Sequence, residues 1–287
     1  MSLPLCLIRF NALLVSPFEL TIVSEIFLIF SRLKLYLCGF SVLILECEKP
    51  SAIRRNVAFS EAVYEGSWQV EDITCHCAAN LQEAKQLLEQ GKLTLLVDPQ
   101  GDCIAQLVPL AVVDAILAKK NLGTHRGMAP ITIGLGPGFE AGKDVDAVIE
   151  TMRGHDLGRI IYQGKAMENT GVPGIVGGYA AERVLRSPIH GRMKAMKQLT
   201  ETVKQGEIIA YIEHDDVSVP VTATIDGLLR GLLRDGYEVT EGFKIGDIDP
   251  RIDEYKNCFT ISDKARCIAG AVLEAILHLK QKGKTND

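Results

Sequence analysis

SPIHGRMKAMKQLTETVKQGEIIAYI (187–212) and ATIDGLLRGLLRDGYEVTEGFKIGDI (223–248) are one pattern written twice, without a gap. Ile189, Gly191, Val203, Gly206, Ile209 and Ile212 fall on Ile225, Gly227, Val239, Gly242, Ile245 and Ile248 at a constant offset of 36 residues. Coincidence at one offset is the signature of an internal repeat. Each copy reads as strand, glycine turn, variable piece, Val, glycine turn, strand. Neither half can bury an apolar face alone, so the two are expected to pair about a pseudo-twofold axis into one small β unit.

The arrangement looks like the barrel-sandwich hybrid of biotinyl and lipoyl carrier domains, whose halves run P-x-x-G, V-x-x-G, I. Those domains offer a modifiable Lys on the hairpin between the halves. Here that hairpin, Glu213 to Val217, holds no Lys, and Lys194 and Lys197 lie inside the first half. No covalent biotin or lipoate is expected, and a module for docking or positioning is the simpler reading.

Upstream, strand and helix signals alternate, which argues a Rossmann-like parallel-sheet layer. LKLYLCGF (33–40) reads as a helix end with Gly39 as C-cap, and SVLILE (41–46) as a buried parallel strand. An acid closing such a strand binds ribose hydroxyls in dinucleotide folds, which makes Glu46 a candidate ligand residue. The required glycine-rich turn is missing, since no glycine precedes Gly39, so a solvated strand end is expected of Glu46. The following loop presents Lys49, Arg54 and Arg55, either as an anion clamp at the sheet edge or as a solvated turn. Leu81 to Glu89 has helical spacing, Leu93 to Pro99 reads as a buried strand, and Val108 to Ala118 is expected to be a helix. Ala129 to Phe139 runs a strand into Gly134, Gly136 and Gly138, and a helix is expected from Asp144. That turn suits a tight crossover better than a phosphate cradle, because Pro137 lacks an amide and Asp144 and Asp146 repel anions.

The fold class expected is therefore α/β: a Rossmann-like parallel-sheet domain over 35–178, the duplicated barrel-sandwich-hybrid module over 179–255, and a C-terminal helix and tail over 256–287. Gly164 to Gly178 is the connector between the first two, and Ser262 is the expected N-cap of the helix from 261 to 280. Residues 1–34 form an aberrant apolar segment. With no cationic leader and no small-residue cleavage site, a signal peptide is not expected, and Pro17, Glu19 and Glu25 interrupt the longest apolar run, so no integral membrane span is expected.

A net charge of −5 gives no reason to expect nucleic-acid binding. Eight scattered cysteines fit reduced cytosolic thiols, and Cys75-His76-Cys77 lacks the second ligand pair of a structural zinc site, so no metal is expected. Cys47 and Cys103 are the candidate thiolates, with an incidental thiol the simpler reading of each. Two polar clusters remain. Arg153, His155, Asp156 and Arg159 suit an oxyanion or a plain helix end. Asp247 and Asp249 share a face with Arg251 nearby, which suits an internal salt bridge anchoring the C-terminal helix or an oxygen-rich site for a metal or a basic substrate group. No nucleophile elbow, Walker loop or kinase set is present.

Several words in order, LILECEKPSAIRR (43–55), FSEAVYEG (59–66), GLGPGFEAGKDVDAVIETMRGHDLGR (134–159), NTGVPGIVGG (169–178) and FKIGDIDPR…SDKA (243–265), resemble the YqeB family of proposed accessory proteins for selenium-dependent molybdenum hydroxylases. The resemblance implies a cytoplasmic role in maturing a client enzyme of the xanthine dehydrogenase type. It leaves the cofactor open, with a nucleotide or the molybdenum cofactor as candidates. The contrasting function is a nucleotide-dependent transferase or oxidoreductase at the sheet edge. The family opens with IRGGGD-[IL]-A-T-G, whereas here Ile8-Arg9 is followed by Phe10-Asn11 and the pattern resumes near Leu35. A frameshifted or wrongly joined coding segment would produce such a start.

Overall fold

The computed structural model describes residues 20–24, 34–171 and 174–284. The expectations for 1–34 lie outside these, apart from a strand at 20–24 and the residue Lys34. A helical turn over 34–37 closes at Gly39, whose φ of 88° is open to glycine at little cost. The chain then enters the sheet.

The strands follow in chain order as β1 (Leu20–Ser24), β2 (Ser41–Glu46), β3 (Ser67–Val70), β4 (Ile73–Ala78), β5 (Leu93–Val97), β6 (Ala111–Asp114), β7 (Ile131–Leu135), β8 (Glu140–Ala141), β9 (Ala147–Ile149), β10 (Ile160–Ile161) and β11 (Gly164–Lys165). Among the described residues one sheet has the order β10-β9-β7-β6-β1-β2-β5-β4-β3. Its seven inner strands are parallel, and β3 and β10 close the edges antiparallel. β8 and β11 pair apart as a short ribbon. The family's sequence pattern resumes only near Leu35, yet β1, ahead of it in the chain, sits in the middle of the sheet, hydrogen-bonded to β2 and β6. Strand order reverses there, so β1 and β6 flank the topological switch point of the sheet.

Alternate side chains feed two cores, as a pleated strand requires. Val42 and Ile44 of β2 join Leu93, Leu95, Ile133 and Leu135 on one face. Leu43 and Leu45 join Ala84 and Leu88 of helix α1 (Leu81–Glu89) on the other. The long helix α2 (Asp263–Lys284) covers the first face with Ala265, Ile268, Ala269, Val272, Ala275 and Ile276, an i, i+3, i+4 stripe. Its first turn is capped as expected, with the Ala265 amide donating to Ser262 Oγ at 3.4 Å. Although it comes last in the chain, α2 is built into the α/β layer.

Two expected helices are strands. Val108 to Ala118 contains β6, all four residues of which are buried between β1 and β7. A continuous apolar run does not distinguish a buried helix from a buried strand, and the slot in the sheet decided it. The helix expected from Asp144 is replaced by β9. Its acids are turn-formers instead: Asp144 accepts the Glu140 amide at 2.9 Å and Asp146 the Thr132 amide at 2.8 Å. No helix among the described residues is long and apolar enough to cross a membrane.

The duplicated stretch folds as β12 (Val184–Arg186), β13 (Gly191–Ala195), β14 (Thr202–Val203), β15 (Ile208–His214), β16 (Val217–Thr222), β17 (Gly227–Leu232), β18 (Glu238–Val239) and β19 (Lys244–Asp249). Two four-stranded antiparallel sheets, β12-β19-β17-β14 and β16-β15-β13-β18, enclose one core. The short strand of each half crosses to the other half's sheet: β14 pairs with β17, and β18 with β13. This exchange is what the pseudo-twofold reading demands. The core repeats in the same register, Val203, Ile209 and Ile212 against Val239, Ile245 and Ile248. Corresponding glycines meet corresponding neighbours. A Cβ on Gly191 would lie 2.5 Å from the Glu213 carbonyl oxygen, and one on Gly227 would lie 2.4 Å from that of Asp249.

Candidate functional site

The carboxyl ends of the parallel strands carry the polar groups. Glu46 closes β2 and is buried, its Oε1 accepting the Cys47 amide at 2.8 Å. The solvated strand end expected there is thus corrected, because the side chain folds back on its own backbone. Asp114 closes β6, accepting the Ile116 amide at 3.1 Å and the Thr124 hydroxyl at 2.6 Å. In the loop between them, Leu117 and Lys119 have φ of 55° and 63°, a strained choice for non-glycine residues.

The glycine turn after β7 works by close packing. A Cβ on Gly134 would fall 2.4 Å from the Phe139 ring, and one on Gly138 would fall 2.7 Å from the Lys120 backbone. The loops after β6 and β7 therefore interlock. The Gly136 amide is used by the Ile149 carbonyl at 2.8 Å, so it is withdrawn from any ligand.

Beside this turn opens a cleft of about 460 Å³, lined by Lys119, Gly138, Lys143, Lys165, Glu168 and Asn169 among others. A second cleft of about 410 Å³ shares Lys165 and is walled by Glu150, Asp156, Arg159, Tyr162 and Met167. Glu140 lies 3.8 Å from Lys143 and 3.5 Å from Lys165. With its amide turned to accept, Asn169 takes a hydrogen bond from Lys119 Nζ at 3.1 Å. Buried Glu150, just past β9, accepts the Met152 and Met167 amides at 2.7 and 2.8 Å, fixing the connector as the cleft wall. Lys119 and Lys143 from two loops and Lys165 from β11 line a polar crevice at the carboxyl edge, where α/β ligands bind, and Glu140, Asp144 and Glu168 line it with them. Such a crevice offers both donors and acceptors to a polar ligand, with Lys119 the ammonium group that Glu140 does not pair.

The residues singled out from sequence are dispersed. Arg153 forks onto Asp263 at 2.6 and 2.9 Å and ties the β9 loop to the start of α2. That hydrogen bond holds the Asp263 carboxyl well below the usual carboxylate range. His155 is exposed, and Arg159 pairs with Asp156 at 3.4 Å on the cleft wall. The loop with Lys49, Arg54 and Arg55 docks on the β module. The Lys49 carbonyl accepts from Tyr237, Arg55 Nε donates to the Leu232 carbonyl at 3.0 Å, and Arg54 reaches Asp247 at 3.2 Å. Arg234 answers from the module, 3.0 Å from Glu61 and stacked 4.3 Å over the Tyr64 ring.

Asp247 and Asp249 are both buried. Asp247 takes Arg54 and Arg183; Asp249 takes Arg230 at 2.7 Å and Arg251 at 2.8 Å. The shared face is an internal ion-pair network, and the carboxylates are saturated by the chain's own guanidinium groups. Burial raises the Asp249 pKa, but hydrogen bonds from Arg251 and Arg230 outweigh it and hold the group at about 2. Because the folded value is depressed, its contribution is full above pH ~4 and is lost as pH falls towards 2; about 2 kcal/mol is at stake. Urea unfolding from pH 5 to pH 2 should show this slope in the native chain, and the slope should flatten in Asp249→Asn.

Cys103 is buried, and burial together with Asp98 pushes its thiol up to about 12, which removes it as a thiolate. Among the described residues no three His, Cys, Asp or Glu side chains gather to hold a metal ion. Sequence reading missed Lys119, Lys143, Lys165, Asn169 and Glu150. They come from three loops, from β11 and from the connector after it, and share no spacing that could have marked them.

No family model matches the sequence. It is 51% identical over 251 residues to a protein of Escherichia coli (strain K12) named Uncharacterized protein YqeB, a match over 88% of this chain. That identity supports the YqeB family. The chain spans 46% of that relative's length. Within this YqeB-like chain, the words at 134–159 and 169–178 supply Gly138, Lys143 and Asn169 to the larger cleft. Solved structures similar to the chain include an aspartoacylase family protein from Mesorhizobium loti, with 12% identity, 81% of this chain and 85% of that one covered, and a TM-score of 0.27. Another is the ectoine utilization protein EutE (DoeB) from Ruegeria pomeroyi, with 10% identity, 76% and 60% covered, and a TM-score of 0.24.

Proposed function

We propose that the chain is a cytoplasmic accessory factor in the maturation of a selenium-dependent molybdenum hydroxylase of the xanthine dehydrogenase type, and that it holds an anionic cofactor or precursor in the carboxyl-edge cleft. One observation carries the reading. Two of the stretches that resemble the YqeB family meet at the same lysine-bearing cleft, 134–159 through Gly138 and Lys143 and 169–178 through Asn169. The β module is read as a non-carrying relative of the barrel-sandwich hybrid, presenting a rigid surface to the client enzyme. The phosphate of molybdopterin would pair with the lysines, and Glu140, Asp144 and Glu168 offer acceptors to the donors of its pterin ring.

Titration of the full chain with molybdopterin should give saturable binding, weakened about tenfold by Lys119→Ala combined with Lys165→Ala at unchanged melting temperature. Absence of binding by the native chain, together with no co-purifying hydroxylase, would overturn the proposal. A second reading, a nucleotide-dependent transferase or oxidoreductase, is favoured by the reversal of strand order at β1. Saturable nucleotide binding in the same titration, with none for molybdopterin, would select it.

A further inference from the structure

Lys244 opens β19 at the seam between the two layers. In the pairing of β12 with β19, Leu185 faces Gly246 and Arg186 faces Lys244, so one residue of β19 is bulged. The bulge breaks the alternation: Ile245 and Ile248 both enter the module core, which leaves Lys244 and Asp247 together on the outward face. Four more basic side chains gather there. Arg54 and Arg183 share Asp247, and Arg186 lends one nitrogen to the Gly242 carbonyl at 2.8 Å. Arg230 pairs with Asp249, and its Nε is buried with no hydrogen-bond partner, in a side chain only 10% exposed. Among the described residues Lys244 makes no ion pair. Burial lowers its pKa; Asp247 raises it, and Arg183, Arg54 and Arg186 lower it again. Positive charge therefore exceeds negative charge at a partly buried seam, an arrangement that is costly unless something neutralises it.

We propose that Lys244, Arg54 and Arg186, with Arg183 and Arg230 behind them, form a binding site for a compact dianionic oxyanion, the chemistry of a phosphate group. Asp247 stays in place as the group that orients two of the guanidinium forks. The spare donors are then an ammonium and guanidinium edges, which match tetrahedral oxygens. This site is separate from the carboxyl-edge cleft and does not depend on the function proposed for it.

Calorimetric titration of the full chain with inorganic phosphate tests the site. One tight phosphate per chain is expected, bound about tenfold or more weakly by Lys244→Met and by Arg186→Met, and unchanged in Lys85→Met on helix α1. Phosphate should raise the melting temperature of the native chain and of Lys85→Met, and raise that of Lys244→Met less. A second arm with glycerol 3-phosphate separates the sources, since whichever binds more tightly, free ion or monoester, names the ligand class. No saturable uptake of either up to about 10 mM overturns the site. So does binding that survives both Lys244→Met and Arg186→Met but is lost in Lys165→Met.

Discussion

Replacing Asp247 by alanine is expected to remove about 3–5 kcal/mol of stability, the cost of stranding buried cations. Its carboxylate is 3% exposed and joins Arg54 of the α/β layer to Arg183 at the entrance of the module. Removing it leaves both guanidinium groups and the nearby Lys244 ammonium with no counter-charge in a partly desolvated seam. Each retains its desolvation penalty and now repels the others, which is why deleting one partner costs more than the pair itself contributes. Chemical denaturation followed by far-UV dichroism gives the difference. A companion Asp247→Ala/Lys244→Met variant should recover part of the loss, because one of the stranded cations is gone. A loss below about 1 kcal/mol in the single variant would mean that the seam is solvated and the pairing is of the weak surface kind.

Gly191→Ala and Gly227→Ala are each expected to cost about 3 kcal/mol, and to cost it equally. At either site the added Cβ meets a backbone carbonyl, at 2.5 Å from Glu213 and 2.4 Å from Asp249, and then an Ile methyl at 3.0 Å from Ile212 and 2.8 Å from Ile248. A backbone obstacle cannot rotate away as a side chain can, so the strand crossing itself must shift. Melting temperatures of the two single variants and the double variant would decide the point. If one glycine tolerates Ala and the other does not, the halves are alike in sequence but not in the forces that hold them.

What the sequence made legible was local or periodic. The repeat at 187–212 and 223–248 stated the module's strands, core and crossing glycines, because pairing register follows from apolar alternation. LKLYLCGF and SVLILE stated the turn at Gly39 and the buried strand β2, since a helix end, a glycine and a β-branched run are neighbours in the chain. The Ser262 cap of α2 was readable for the same reason.

What only the tertiary structure decided was partnership across distance. Val108 to Ala118 read as a helix, and the open place between β1 and β7 made four of its residues a strand. Asp144 and Asp146 read as a helix's first turn, and bonds to Glu140 and Thr132 made them turns. Arg54 and Asp247 lie 193 residues apart, and nothing in either neighbourhood names the other. The lysines of the cleft arrive on loops whose positions depend on the interlocked turns beneath them. Propensity and periodicity act within a few residues. Charge pairing and cleft walls are set by which faces come together once the sheet and the module have been built.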